Sequence, residues 1–410
     1  MRYGRIGMNG YSKSITPVLL GADLNAYSVA LAFFEAYGVK SHVFARYRCG
    51  ATESSRFIKI HIAPGIDDVK RAVPALLKFA AENTGAELFL IPTADWYVEM
   101  LEEAYCSLSG LYKIHIPEKN TWRKLSDKCE FYSYMKDFGI SHPPYVSFGR
   151  EDELSDEHLS RLTYPAVIKP SDSTEYWRYP FPDMKKVYFP KSLEEAREIL
   201  ERIFSSGYGG RVILQKKVGG HEGNRVLTTV SDKRGRVVRA VLGNVILEEV
   251  GKTSFGNHSA IITAPLDSLS FKLIDFLNEI GYTGIANFDI MTDGAEKYVL
   301  EMNTRQGRSC DYLRAAGVNI ARLLVEIASG RNIEPDLSYK SVYWHYPPNK
   351  TVMRYADNGG RRCAERLIAE GAEYNPYENR YEGIVRRAYV AVHSKRLERR
   401  IKRDFKEAGR

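Results

Sequence analysis

The sequence predicts a mixed α/β and α+β protein: a small doubly wound α/β unit, then a larger strand-rich body, then a basic helical tail. Three observations lead there. Residues 16–46, TPVLLGADLNAYSVALAFFEAYGVKSHVFAR, read as strand, polar turn, helix, strand. Apolar strand-forming runs dominate residues 225–262, and GIANFDIMTDGAEKYVLEMN at 284–303 reads as a hairpin. In the tail, Leu397, Ile401 and Phe405 recur at four-residue spacing among Arg and Lys, which predicts an amphipathic helix.

Taken in order, the first helix ends near Gly38 and SHVFA follows as a strand. LFLIP at 88–92 is a further strand broken by Pro92, with Asp95 expected to cap the next helix. The turn after the first strand lacks GxGxxG, so a dinucleotide-binding unit is not expected. SDKCEFYSYMKDFG reads as a helix capped by Ser126 and stopped by Gly139, ahead of Pro143 and Pro144. YPAVIKP is a short strand delivering Lys169. KSLEEAREILERIF carries a Ser192/Glu195 capping box and an apolar stripe of Leu193, Ala196, Ile199, Leu200 and Ile203. RVILQKKVGG ends a strand on paired glycines, and SFKLIDFLNEIG is a helix before the hairpin. These textures predict units at 1–123, 124–332 and 333–410, the middle one divided into a small lid, about 160–218, and a second part, about 219–332.

Composition excludes several classes. An apolar fraction of 44% with 27% charged residues is ordinary for a globular enzyme. No run is long enough for a signal peptide or spanning helix, so a cytoplasmic protein is expected. Five cysteines, never in a CxxC pair, argue for reduced thiols rather than zinc or disulfides. The net charge is +8, but the last thirty residues hold ten Lys/Arg against four Asp/Glu. The body is therefore near neutral, and nucleic acid is not an expected partner.

The chemistry concentrates in KYVLEMNTRQG, residues 297–307. A strand puts residues i, i+2 and i+4 on one face, so Glu301, Asn303 and Arg305 share a space. Across an antiparallel hairpin Asp289 joins them if the connecting loop has an odd number of residues, which predicts a three- or five-residue loop around Asp293–Ala295. Asp289, Glu301 and Asn303 are then oxygen ligands suited to Mg²⁺, which completes its shell with phosphate oxygens. With two lysines upstream this is a nucleoside-triphosphate site without a Walker loop. Asp23 and Asn25 in the first turn either cap a helix or meet substrate. His221 and His258 read as loop residues.

These residues resemble the ATP-grasp superfamily of carboxylate–amine ligases over roughly residues 125–330. The resemblance implies that Lys128 and Lys169 hold the ATP phosphates and that Gln215, Lys216, Lys217 and Val218 form the adenine hinge. It implies that Asp289, Glu301 and Asn303 bind Mg²⁺ and that Arg305 steadies the transferring phosphoryl group. Where the family often has a ribose-binding glutamate this chain has Lys216, and Glu222 is the expected replacement. The loop SDSTEYW departs from the family's glycine-rich cover, leaving Ser171 and Ser173 as donors to phosphate. A closer resemblance is to the D-aspartate ligase group, carried by PVLLGADLNAYSVALAFFEAYG, IKPSDSTEYW, YNPYENRY and the basic tail. It implies amide formation through an acyl phosphate, with Asp23, Asn25 and Arg308 toward an amino acid such as D-aspartate. The amine partner implied is a peptidoglycan precursor, nucleotide- or lipid-linked. A different carboxylate/amine pair and a non-catalytic nucleotide binder are the alternatives. The tail is expected at the protein or membrane surface, and the oligomeric state is left open.

Overall fold

The computed structural model describes residues 14–220, 223–252 and 254–409. Its strands form three sheets. In the first, β1 (Ser14–Leu20), β2 (Ser41–Ala45), β3 (Ile58–Ile62), β4 (Ala86–Pro92) and β5 (Tyr112–Lys113) are all parallel in the order β3-β2-β1-β4-β5. In the second, β6 (Tyr145–Phe148), β7 (Ala166–Pro170) and β8 (Val212–Lys216) pair antiparallel in the order β6-β8-β7. The small sheet thus begins ahead of the residue-160 edge expected for the lid. The third holds β9 (Asn224–Ser231), β10 (Val237–Glu248), β11 (His258–Ala264), β12 (Gly284–Asp293), β13 (Glu296–Asn303), β14 (Tyr343–His345) and β15 (Glu373–Tyr374), ordered β13-β12-β9-β10-β11-β14-β15.

The helix Leu24–Tyr37 is buried from Leu24 to Phe33 without interruption. Such a helix needs cover on every side. Its residues Tyr27 and Phe33 accordingly share one core with Val226 and Ile261 of the large sheet and with Leu397 and Phe405 of the tail. The α/β unit, the large sheet and the C-terminal segment are therefore packed through a common interior.

Local capping differs from expectation in two places. Asp127, not Ser126, caps the helix Lys128–Asp137, its carboxylate accepting from the Cys129 and Glu130 amides. Ser126 instead ends the preceding helix Lys119–Ser126. Ala94 rather than Asp95 is the cap of Asp95–Leu108, which frees the Asp95 carboxylate for Arg305. Half of the expected capping box forms: Ser192 accepts from the Glu195 amide, while Glu195 accepts from Lys191 instead of Ser192.

The tail helix, Ile384–Glu407, lies on the body. Leu397, Ile401 and Phe405 are buried, and Phe405 stacks on Tyr355 at 4.2 Å between ring centroids. Near its start Arg386 is 1% exposed, donates to the carbonyls of Gly50, Ala51 and Glu53, and lies 4.9 Å over the Tyr27 ring. Phe405→Ala is expected to lower stability by about 3 kcal/mol through loss of burial and an unfilled cavity. Urea unfolding checks this; a loss below about 0.5 kcal/mol, within the range of surface substitutions, would mean the stripe is not docked in solution.

Candidate active site

The hairpin reaches the expected alignment by a different route. The connection between β12 and β13 is two residues, Gly294-Ala295, an even number. Asp289 nevertheless pairs with Glu301, because the register shifts by one residue between Asp289/Ile290 and leaves Leu300 as a bulge. A bulge inserts the unpaired residue that the loop does not supply. The Leu300 carbonyl accepts from Lys169 Nζ at 3.1 Å and from the Tyr132 hydroxyl at 2.7 Å. One irregularity thus puts two carboxylates on a face and anchors a lysine beside them.

Lys128 Nζ lies 3.4 Å from Glu301 Oε2 and donates to Ser173 Oγ at 3.2 Å. Both lysines are buried, and each has a support. Lys169 Nζ also meets the Tyr132 hydroxyl at 3.1 Å, while the backbone at Lys128 is tied to Ser171. The Ser171 hydroxyl is committed to Asp127 at 2.7 Å, so of the two serines Ser173 is the one turned to the lysine. Burial, and then Lys128, push the Lys169 ammonium down to about 7. Burial opposes the charge on Glu301, but Lys128, Lys186 and Lys169 outweigh it and hold its pKa low. Asp289 goes the other way, raised by burial and by the Glu301 charge across the ladder.

A cavity of about 280 Å³ opens beside this pair. Gln215, Lys217 and Val218 line it with Lys169, Asp289 and Glu301; Lys216 is not among the lining residues. The paired glycines permit close approach there: a Cβ on Gly219 would lie 2.5 Å from the Met291 side chain, at a φ of +64°. Glu222 lies outside the described residues. Glu248, bonded to Asn224 Nδ2 at 2.8 Å, is a carboxylate on the cavity wall.

On the other side of the hairpin the chain turns through Thr304–Arg308. Arg305 donates to Asp95 at 2.7 Å and to Asn303 Oδ1 at 3.3 Å. Arg308 donates to Glu249 at 3.0 Å and lies 5.2 Å over the Tyr346 ring. Asp23 caps the helix Leu24–Tyr37 through the Asn25 and Ala26 amides. It also faces Arg308 and Arg305, which offset in part the burial that raises its pKa. Asn25 is 0% exposed, and its amide donates to the carbonyls of Thr93 and Gln306 at 2.9 Å each. That side chain staples the first turn to the arginine loop.

No family model matches the chain. It is 29% identical over 375 residues to D-aspartate ligase of Enterococcus faecium, covering 88% of this chain and 89% of that protein. It is 27% identical over 236 residues to the carbamoyl phosphate synthase large chain of Thermotoga petrophila, spanning about a fifth of that protein's length. Among solved structures, the biotin carboxylase domain of Hydrogenobacter thermophilus 2-oxoglutarate carboxylase, solved with MgADP and bicarbonate, superposes with a TM-score of 0.60 at 18% identity over 81% of this chain and 74% of that one. The ADP complex of PurK, N5-carboxyaminoimidazole ribonucleotide synthetase, does so with 0.59 at 16% identity, over 84% and 86%. L-amino acid ligase from Bacillus licheniformis gives 0.53 at 15%, over 79% and 78%. The chain has the ATP-grasp fold.

Within this ATP-grasp fold, the donor set can be tested for a metal. Among the described residues no three His, Cys, Asp or Glu side chains assemble as a ready-made metal cluster. Mg²⁺ does not ask for one; it takes one or two carboxylates and fills its shell with phosphate oxygens and water. Two facing carboxylates, one ionised and the other raised by its neighbour's charge, are a pair that a divalent cation would relieve. Asn303 supplies an amide oxygen beside them.

Several residues of the site carried no expectation from sequence. Asn287 pairs with Asn303, donates to Asp289 at 3.3 Å and accepts from Thr228 at 2.8 Å. Its position two residues before Asp289, on the same strand face, was the signal that could have found it. A Cβ at Gly307 would meet Asn287 Oδ1 at 2.7 Å, so the arginine loop passes over this amide only as glycine. His258, expected as a loop residue, lines the cavity 4.0 Å from Asp289. Burial, and then Lys186, lower its pKa to about 4, so the ring is neutral at pH 7. Lys186, in the segment before Tyr188, is a further cation facing both carboxylates. Only the folding of that segment onto β7, where Tyr188 bonds Ile168, brings it there.

Proposed function

We propose that this ATP-grasp protein is an ATP-dependent ligase that joins a dicarboxylic amino acid, D-aspartate, to the amine of a peptidoglycan peptide through an acyl phosphate. The observation that carries the reading is the Asp289–Glu301 pair, facing Lys128, Lys169 and Lys186, with Arg305 beside Asn303. The cavity would take ATP, with Gln215, Lys217 and Val218 toward the base and the lysines toward the phosphates. Asp289, Glu301 and Asn303 would hold Mg²⁺, which would supply charge neutralisation at the phosphate oxygens. One amino-acid carboxylate attacks the γ-phosphorus, the bond to the β–γ bridging oxygen breaks, and ADP leaves an acyl phosphate; Arg305, pinned by Asp95, steadies the charge that develops. The neutral amine then attacks the acyl carbon, gives up a proton, and expels inorganic phosphate to leave the amide. The unit 124–332 carries this chemistry, the lid excluding water from an intermediate that hydrolyses readily. The likeness to D-aspartate ligase supports the substrate, and its stereochemistry rests on that likeness alone.

The test is ADP and phosphate release with D-aspartate, L-aspartate, neutral amino acids and muropeptide precursors, with the product weighed by mass spectrometry. Faster ligation of L-aspartate or a neutral amino acid overturns the substrate; the absence of amino-acid-dependent ADP release overturns the ligase reading. Arg308→Ala is expected to raise the KM for aspartate about tenfold or more while the KM for ATP stays put, the signature of lost ground-state binding. Among the described residues no helix is long and apolar enough to cross a membrane. A precursor carried on the membrane is then reached from the surface, and the exposed basic face of the tail is the face for that approach.

A further inference from the structure

Glu248 and Glu249 are neighbours at the end of β10 and face opposite ways, as consecutive extended residues do. Glu248 looks into the nucleotide cavity. Glu249 turns away from it, with its side chain 3% exposed, and collects three donors from distant parts of the chain. Arg308 Nη1 reaches it at 3.0 Å, Arg400 Nη2 at 2.8 Å, and the Tyr346 hydroxyl also donates to it. Arg400 belongs to the C-terminal helix, one residue before Ile401 of the docked stripe, so the packing of that stripe is what turns it inward.

Glu249 stands between the two guanidiniums, and Asp23 also faces Arg308. Both arginines remain partly open, 31% for Arg308 and 37% for Arg400, while Arg400 Nε is buried without a partner. Arg308 leads back to the reacting centre: it faces Asp23, which in turn faces Arg305 beside Asn303. A planar fork on each side of a fixed carboxylate suits another carboxylate, whereas the phosphate-facing cations across the hairpin are lysines.

We propose that Arg400 and Arg308, held apart by Glu249, form the clamp for the carboxylate of the amino acid that is not activated, making Arg400 of the C-terminal helix a specificity-determining residue. This rests on the ligase reading above. Arg400→Ala leaves Glu249 paired with Arg308 and Tyr346, and is expected to fold. Its KM for the acidic amino acid should rise about tenfold or more, with kcat and the KM for ATP within about twofold. The preference for aspartate over asparagine should fall with it. Arg400→Lys, which keeps the charge and stem but loses the fork, should fall between and serves if the alanine variant does not fold. Arg399→Ala, exposed on the same helix, should leave the KM for aspartate at the parent value. An unchanged aspartate KM in folded Arg400→Ala, or a loss confined to kcat, overturns the clamp and leaves the ligase standing. If the parent chain shows no amino-acid-dependent ADP release, the ligase reading falls and the clamp falls with it.

Discussion

Asp289→Asn and Glu301→Gln are each expected to cut turnover at least ~100-fold at saturating Mg²⁺ while the protein stays folded, because each removes a negative charge that would hold the cation offsetting developing phosphate charge. The two should differ in stability. Asp289 has its pKa raised by burial and by Glu301, so its ionised form costs stability above the ordinary carboxylate range, and that cost grows as pH rises through the range. Neutral asparagine removes the cost, so Asp289→Asn should melt at or above the parent temperature at pH 7. Glu301 has its pKa held low by Lys128, Lys186 and Lys169, so its charge stabilises the fold above the ordinary carboxylate range and the benefit is lost in acid. Glu301→Gln should therefore melt lower at pH 7. Steady-state ADP release and thermal melting check both; normal activity in either variant removes that residue from the metal site.

Lys169→Ala is expected to weaken ATP binding by roughly 1–3 kcal/mol, the scale of a lost hydrogen bond to a charged group. The parent protein should also show a pH signature that the variant lacks. In the free protein the Lys169 ammonium is pushed down to about 7 by burial and Lys128. A bound phosphate requires the charged form, so above pH 7 ATP must bind together with a proton, and affinity should fall by up to about tenfold per pH unit. Titration calorimetry between pH 6.5 and 9, in buffers of different ionisation enthalpy, reads both effects. Equal ATP affinity in Lys169→Ala would reject the phosphate role, and a flat parent profile would reject the lowered pKa.

Much of the fold could be read from local signals. The parallel first sheet follows from a polar turn between an apolar strand and a helix, and the amphipathic tail helix follows from the spacing of Leu397, Ile401 and Phe405, though not its docking on the body. Caps were less legible. Ser126 and Asp127 are adjacent and equally suited chemically, and the choice fell to Asp127 because the Ser171 hydroxyl, 44 residues away, also binds it.

The sequence by itself determined that Glu301 and Asn303 would share a face, because strand periodicity is local, and it pointed to Asp289 across the hairpin. Only the tertiary structure decided how. A two-residue turn put the parity wrong, and a bulge at Leu300 restored it, with Lys169 and Tyr132 bonded to the carbonyl there. It also decided what surrounds the site. Lys186 enters from a segment folded on β7, and Glu249 joins Arg308 to Arg400, which lies 151 residues from Glu249 along the chain. Charge pairing of this kind depends on distance in space and on exclusion of water, and neither quantity is written in the order of residues.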